Sequence, residues 1–148
     1  MQNKSETSKG PRVLVIDDDE LVLQVIRDLL ENIGYAVFTM VSPIGATQTI
    51  MTEQIQAVVV DLNMPVMRGD RFISLLRSWE KIREMPTVLI SGEAADTLEE
   101  ASSNLPGIAK VSKDAMQRTL PEALERVLAR ARRSSPRASM ATGRKLPS

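Results

Sequence analysis

The 148-residue sequence contains no cysteine and no histidine. Without cysteine there is no disulfide framework, no thiolate nucleophile and no cysteine metal site. Without histidine there is no Ser-His-Asp triad and no phosphohistidine. In any phosphoryl relay, the chain cannot therefore be the histidine partner. Long apolar runs are also missing, and the longest is far too short to span a bilayer. Residues 1–10, MQNKSETSKG, are polar and lack the apolar centre of a secretory leader. The expectation is a soluble cytoplasmic protein that does not contact a membrane. Net charge is absent as well, with 19 Lys/Arg against 19 Asp/Glu, so the whole chain carries no general polyanion-binding signal. The balance is uneven: residues 1–125 hold 12 basic and 19 acidic side chains, and residues 126–148 hold 7 basic and none acidic. That basic end is read as a solvated tail with cations placed favourably after a helix, not as a nucleic-acid contact.

What is present is an ordinary globular balance of 43% hydrophobic and 26% charged residues, enough for one compact domain with tails. Residues 1–11 read as a disordered lead, 12–133 as the domain, and 134–148 as a disordered Ser/Pro/Arg-rich tail. Four short apolar runs read as buried strands: Arg12 to Asp17, Tyr35 to Thr39, Ala57 to Asp61 and Thr87 to Ser91. A poorer fifth spans Ile108 to Val111. Helical spacing follows the first strand through Leu21, Val22, Val25, Ile26, Leu29, Leu30 and Ile33, with Gly34 as the stop. Ser42-Pro43 reads as the cap and first turn of a second helix to about Gln54. A third runs from Asp70 to about Arg83, with Phe72, Ile73, Leu75, Leu76 and Trp79 as its apolar side. A weaker, polar helix spans Ala94 to about Asn104. The last runs from Pro121, in its first turn, to Arg133.

Strands that alternate with helices predict an α/β fold: a doubly wound, five-stranded parallel sheet with helices on both faces. Right-handed crossovers favour strand order 2-1-3-4-5. Ligands in such sheets bind beyond the carboxyl ends of the strands, where strands 1 and 3 adjoin. The residues there are chemical. Strand 1 ends in Asp17-Asp18-Asp19-Glu20, strand 3 in Asp61 and strand 4 in Ser91, and Lys113 follows strand 5. Asp17, Asp18 and Asp61 should converge. Packed carboxylates repel, and a divalent cation relieves that repulsion. Oxygen ligands without His or Cys point to Mg²⁺ or Mn²⁺ rather than zinc. A carboxylate can be the nucleophile in phosphoryl transfer, giving an acyl phosphate. The transferring group spreads charge over three oxygens: one for the metal, one for the Lys113 ammonium, and one for the Ser91 hydroxyl with nearby backbone amides. A plainer reading makes Asp19 and Glu20 a helix-start pair, since acids favour a helix N-terminus.

The stretches VLVIDDDE, VVVDLNMPVMRGD, TVLISGE and VSKD, in that order, resemble the receiver domain of two-component response regulators over roughly residues 12–131. The resemblance implies the flavodoxin-like version of the fold. It implies a signalling switch, not an enzyme, in which Asp61 accepts a phosphoryl group from a histidine kinase or histidine phosphotransfer protein. It implies Mg²⁺ at Asp17 and Asp18, with the backbone carbonyl of Asn63 as a third protein ligand. Met64-Pro65 and Gly69 match the turn after the acceptor, Ser91 the switch hydroxyl and Lys113 the family lysine. A stand-alone receiver would then signal by contact with a downstream protein of unknown identity.

Two positions depart from the family pattern. Lys113 precedes Asp114 where proline is usual, and a non-proline cis bond costs about 3–4 kcal/mol, so a trans loop that places the ammonium differently is expected. Lys110 stands where the family has Tyr or Phe, which removes the aromatic of the usual output switch. An alternative alignment makes Lys110 the phosphate-contacting lysine. Two other functions stay open: a phosphorylation-independent adaptor, and an aspartyl-phosphate phosphatase of the dehalogenase-like type. The latter wants an acid where this chain has Asn63.

Overall fold

A computed structural model describes residues 10–134. The sequence expectations for 1–9 and 135–148 lie outside the described residues. Five strands, β1 (Arg12–Ile16), β2 (Ala36–Met40), β3 (Ala57–Asp61), β4 (Thr87–Ser91) and β5 (Ala109–Ser112), form one sheet in the order β2-β1-β3-β4-β5. Every pairing is parallel. Helices α1 (Glu20–Asn32), α2 (Ala46–Thr52), α3 (Gly69–Arg77), α4 (Ala95–Ala101) and α5 (Met116–Ser134) alternate with the strands. Pro11, placed in the lead on sequence grounds, accepts from Ala36 N through its carbonyl at 3.0 Å. No helix among the described residues is long and apolar enough to cross a membrane.

The strands read as unbroken apolar runs because both sheet faces are covered. Val13 and Val15 of β1 point into one core with Ile26 and Leu30 of α1 and Leu120 and Leu124 of α5. Leu14 and Ile16 point into the other, with Ile50 of α2, Phe72 and Ile73 of α3 and Leu98 of α4. Successive side chains of a strand face opposite ways, so one apolar run serves two layers.

Several boundaries differ from the sequence expectation. The buried stripe of α1 is Leu23, Ile26 and Leu30, whereas Leu21 is 78% and Ile33 51% exposed. Apolar residues lie on more than one face of this helix, and period alone does not choose among them. Helix α2 begins at Ala46, not at Pro43. Ser42 Oγ accepts from Ile44 N and closes a turn there, and Gly45 takes a left-handed φ of 84° as the cap. Helix α3 stops at Arg77, where the Ser78 hydroxyl donates to the Leu75 carbonyl at 2.7 Å; a short 3₁₀ turn, Glu80–Ile82, follows. Leu75 and Trp79, expected on its apolar side, are 43% and 49% exposed. Helix α5 starts at Met116 rather than Pro121, so Pro121 lies inside it. Proline has no N–H to give the carbonyl four residues earlier, that of the exposed Gln117.

The register positions the chemistry. Ile16 pairs with Val60, so the next residues along these parallel strands, Asp17 and Asp61, stand level at the carboxyl edge. Asp17 N donates to Met40 O at 3.1 Å and carries the pairing with β2 one step further. Asp61 pairs with Ile90 on its other side, which puts Ser91 one step beyond.

Candidate functional site

Asp17, Asp18 and Asp61 meet at the strand edge where β1 and β3 adjoin, each offering a carboxylate oxygen within 4.8 Å of the others. Asp17 is fully buried and Asp61 nearly so, while Asp18 is exposed. Asp19, next in sequence, caps α1 by accepting from Leu21 N at 2.9 Å, the helix-start role that an acid at a helix N-terminus favours.

Lys113 reaches the cluster from the 3₁₀ turn after β5. Its Nζ lies 2.8 Å from Asp17 Oδ2 and 3.2 Å from Asp61 Oδ1. No cis peptide bond occurs among the described residues, so a trans loop delivers the ammonium to the carboxylates. The alternative alignment is not what the structure brings together. Lys110 points away and pairs with Glu99 of α4 at 3.2 Å.

Burial raises the Asp61 carboxyl to about 6, the charge of Asp17 adds to the rise, and Lys113 opposes it. Burial acts to lower the Lys113 pKa, but the adjoining carboxylates of Asp17 and Asp61 outweigh it and the net shift is upward. Lysine therefore stays cationic among the acids, and Asp61 is ionised over most of the population at neutral pH.

Whether the site suits a divalent cation can be judged from its oxygens. Asp17 Oδ1 accepts from Asp19 N at 2.8 Å. Asp17 Oδ2 is buried, and the Lys113 ammonium at 2.8 Å is what faces it among the described residues. Three acidic side chains face one ammonium, an excess of acid over base. An all-oxygen donor set with that excess fits a hard divalent ion.

Ser91, fully buried at the end of β4, accepts from Glu93 N through its hydroxyl at 2.9 Å. Asn63 is exposed on the loop after β3, and its side chain does more than sequence reading assigned. Its Nδ2 donates to Glu93 Oε2 at 2.6 Å, and its Oδ1 accepts from Arg68 Nη1 at 3.3 Å. Arg68 Nε also donates to Asp70 Oδ1 at 3.1 Å. Neither Arg68 nor Glu93 carries a sequence signal for this arrangement, which joins loops 30 residues apart. Gly69 was read only as part of a turn. Its N–H donates to the Leu62 carbonyl at 2.8 Å, and a Cβ there would collide with the Asp61 carbonyl oxygen. The loop after the acceptor is thus folded back on the acceptor's own backbone, which only glycine permits.

Comparison with known proteins gives a consistent picture. The family model for the response regulator receiver domain matches residues 13–125. The sensor histidine kinase GacS of Pseudomonas protegens is 34% identical over 91 residues, covering 60% of this chain but only 10% of the kinase. Chemotaxis protein CheY-3 of Vibrio cholerae is 27% identical over 127 residues, covering 83% of this chain and 95% of CheY-3. The solved structure of a sensor protein from Polaromonas sp. JS666 superposes with a TM-score of 0.75 at 24% identity, covering 81% of this chain and 97% of the other. At that identity the likeness speaks for the fold alone.

Proposed function

The chain belongs to the response regulator receiver domains, a family of signalling switches in two-component systems, and from that premise we propose that Asp61 is its phosphoryl acceptor. The observation that carries this reading is the meeting of Asp61 with Asp17, Asp18 and Lys113 at one strand edge.

An ionised Asp61 oxygen attacks the phosphorus of a phosphohistidine donor. The Asp O–P bond forms as the P–N bond breaks, and the leaving imidazole departs with its electron pair and ends protonated. Lys113, held cationic by its acid neighbours, faces the charge that spreads over the phosphoryl oxygens. Asp17 and Asp18, with Asp61 and the Asn63 backbone carbonyl, would hold Mg²⁺, which supplies the positive charge that three carboxylates and a phosphoryl group together require. The Ser91 hydroxyl, at the end of the adjoining strand, is the group that would turn toward a bound phosphoryl oxygen. That exchange of partners would shift a pre-existing equilibrium of the surrounding loops and be read by a downstream protein.

The phosphatase alternative is weaker because position 63 carries an amide that cannot act as general acid. The donor would be a histidine kinase or histidine phosphotransfer protein, as the likeness to GacS suggests. The test is intact mass after incubation with acetyl phosphate and Mg²⁺. The expected result is one added phosphoryl group on the wild type and none on Asp61→Asn. An unmodified wild type, or equal modification of both, would contradict it.

A further inference from the structure

Two arginines from different helices meet at one turn. The segment leading into β5 turns on Pro106 and Gly107, the proline–glycine pairing that a type II turn takes, and Gly107 has the positive φ, 87°, that such a turn needs. Arg77, at the end of α3, donates through Nη1 to the Pro106 carbonyl at 2.8 Å. Arg130, on α5, donates through Nη1 to the Gly107 carbonyl at 3.1 Å. A Cβ on Gly107 would stand 3.9 Å from Arg130 Nη1 and 4.0 Å from Arg77 Nη2. Both guanidiniums thus lie on the same side of a residue that has no side chain to part them.

Helix α5 continues the row. Arg126 stands four residues before Arg130 and Arg133 three after it, on one helix face, and all three are exposed. Like charges so spaced destabilise a helix. Among the described residues no carboxylate forms an ion pair with Arg77, Arg126 or Arg133. Glu122, one turn before Arg126, is exposed and does not pair with it. Glu125 lines a groove with Tyr35 and Pro11 on the β1–β2 side of α5, and Glu99 of α4 is engaged by Lys110. The preference of cations for a helix C-terminus accounts for Arg77 and Arg133, in the last turns of α3 and α5. It does not account for Arg126, well before the end of α5, or for two guanidiniums drawn onto one turn.

We propose that Arg77, Arg126, Arg130 and Arg133 form a docking surface for an acidic segment of a partner protein. Charge complementarity selects the sign of the partner. Spacing selects its kind: Arg126 to Arg133 spans two helical turns, about 10 Å, which carboxylates repeated along a polypeptide can match. The row is too short for the run of phosphate contacts that a nucleic acid makes. A guanidinium takes a carboxylate through two parallel N–H bonds, and Arg77 Nε and Nη2 have no acceptor among the described residues. The turn precedes β5 whereas Asp61 ends β3, so in this parallel sheet the surface lies at the end away from the acceptor. The inference holds whether or not Asp61 is phosphorylated.

The test uses the full, unphosphorylated chain, isotope-labelled for NMR, with a capped hexaglutamate peptide as the probe. At about 25 mM salt the peptide should move the Gly107 and Ile108 amide signals saturably, and about 300 mM salt should weaken that response. The double variant Arg126→Gln with Arg133→Gln leaves both bonds to the turn in place. It should bind about fivefold more weakly, the loss expected for two exposed ion pairs. No saturable shift at Gly107, shifts confined to residues 135–148, or undiminished binding by the double variant would overturn the proposal. So would tighter binding of an oligothymidylate of equal charge at the same signals, which would assign the surface to nucleic acid.

Discussion

The ammonium of Lys113 stands 2.8 Å from the fully buried Asp17 carboxylate and reaches it from a loop without the expected proline. The contact ties the turn after β5 to the end of β1 across the width of the site. The same ammonium reaches Asp61 at 3.2 Å, so one cation serves two acids.

Lys113→Ala should therefore cost stability as well as chemistry. It strands Asp17 in a buried position, and removing one partner of a buried pair is destabilising, here by about 1–3 kcal/mol because the lysine side chain is itself partly exposed. Urea denaturation of the cation-free protein should show this loss, and Mg²⁺ should restore part of it. Lys110→Ala removes a surface pair with Glu99 and should cost less than about 1 kcal/mol. Equal losses in the two variants would mean that Lys113 is an ordinary surface lysine.

The raised Asp61 pKa has a consequence in the cation-free protein. The folded state keeps the Asp61 proton up to about pH 6, whereas an unfolded chain releases it near 3.8. Stability linked to that proton is fully present below about pH 4 and is lost as pH rises through 6, by up to about 3 kcal/mol. Asn at this position has no proton to lose. Asp61→Asn should thus show a flatter stability profile between pH 4 and 6 and exceed the wild type at pH 7 without Mg²⁺. Parallel profiles for the two proteins would count against burial and the Asp17 charge as the origin of the shift.

Gly69→Ala should be among the most disruptive small substitutions. The new methyl meets the Asp61 carbonyl oxygen and its carbon, both backbone atoms that cannot swing aside. Such overpacking costs about 1–3 kcal/mol, and here the displaced backbone carries the acceptor. A thermal midpoint unchanged from the wild type would show that the loop has room the structure does not indicate.

The legible parts of the fold were those that sequence-local physics controls. Four apolar runs ending in Asp17, Thr39, Asp61 and Ser91 declared a two-sided parallel sheet, because a strand buried on both faces cannot alternate. The convergence of the acids followed from strand order alone. What escaped required tertiary information. Leu21 and Leu23 are equally apolar, and only packing against the sheet decides that Leu23 is inside. Pro121 suits a first helical turn, yet α5 starts five residues earlier, behind a turn in which Ser112 Oγ accepts from Asp114 N. Choosing between Lys110 and Lys113 depended on where β5 ends: Lys110 lies between the inward Ala109 and Val111 and faces out. The Arg68–Asn63–Glu93 bridge was invisible for a simpler reason, since three exposed polar residues on two loops carry no periodicity.

Magnesium calorimetry is the most direct probe of the account. Titrated into the wild type near pH 7, Mg²⁺ should bind with one-to-one stoichiometry, and the heat should vanish or weaken by at least about tenfold in Asp17→Asn, which removes a first-contact carboxylate while keeping its size. Undiminished binding by Asp17→Asn, or none by the wild type, would mean that the three acids gather for some purpose other than sharing a cation.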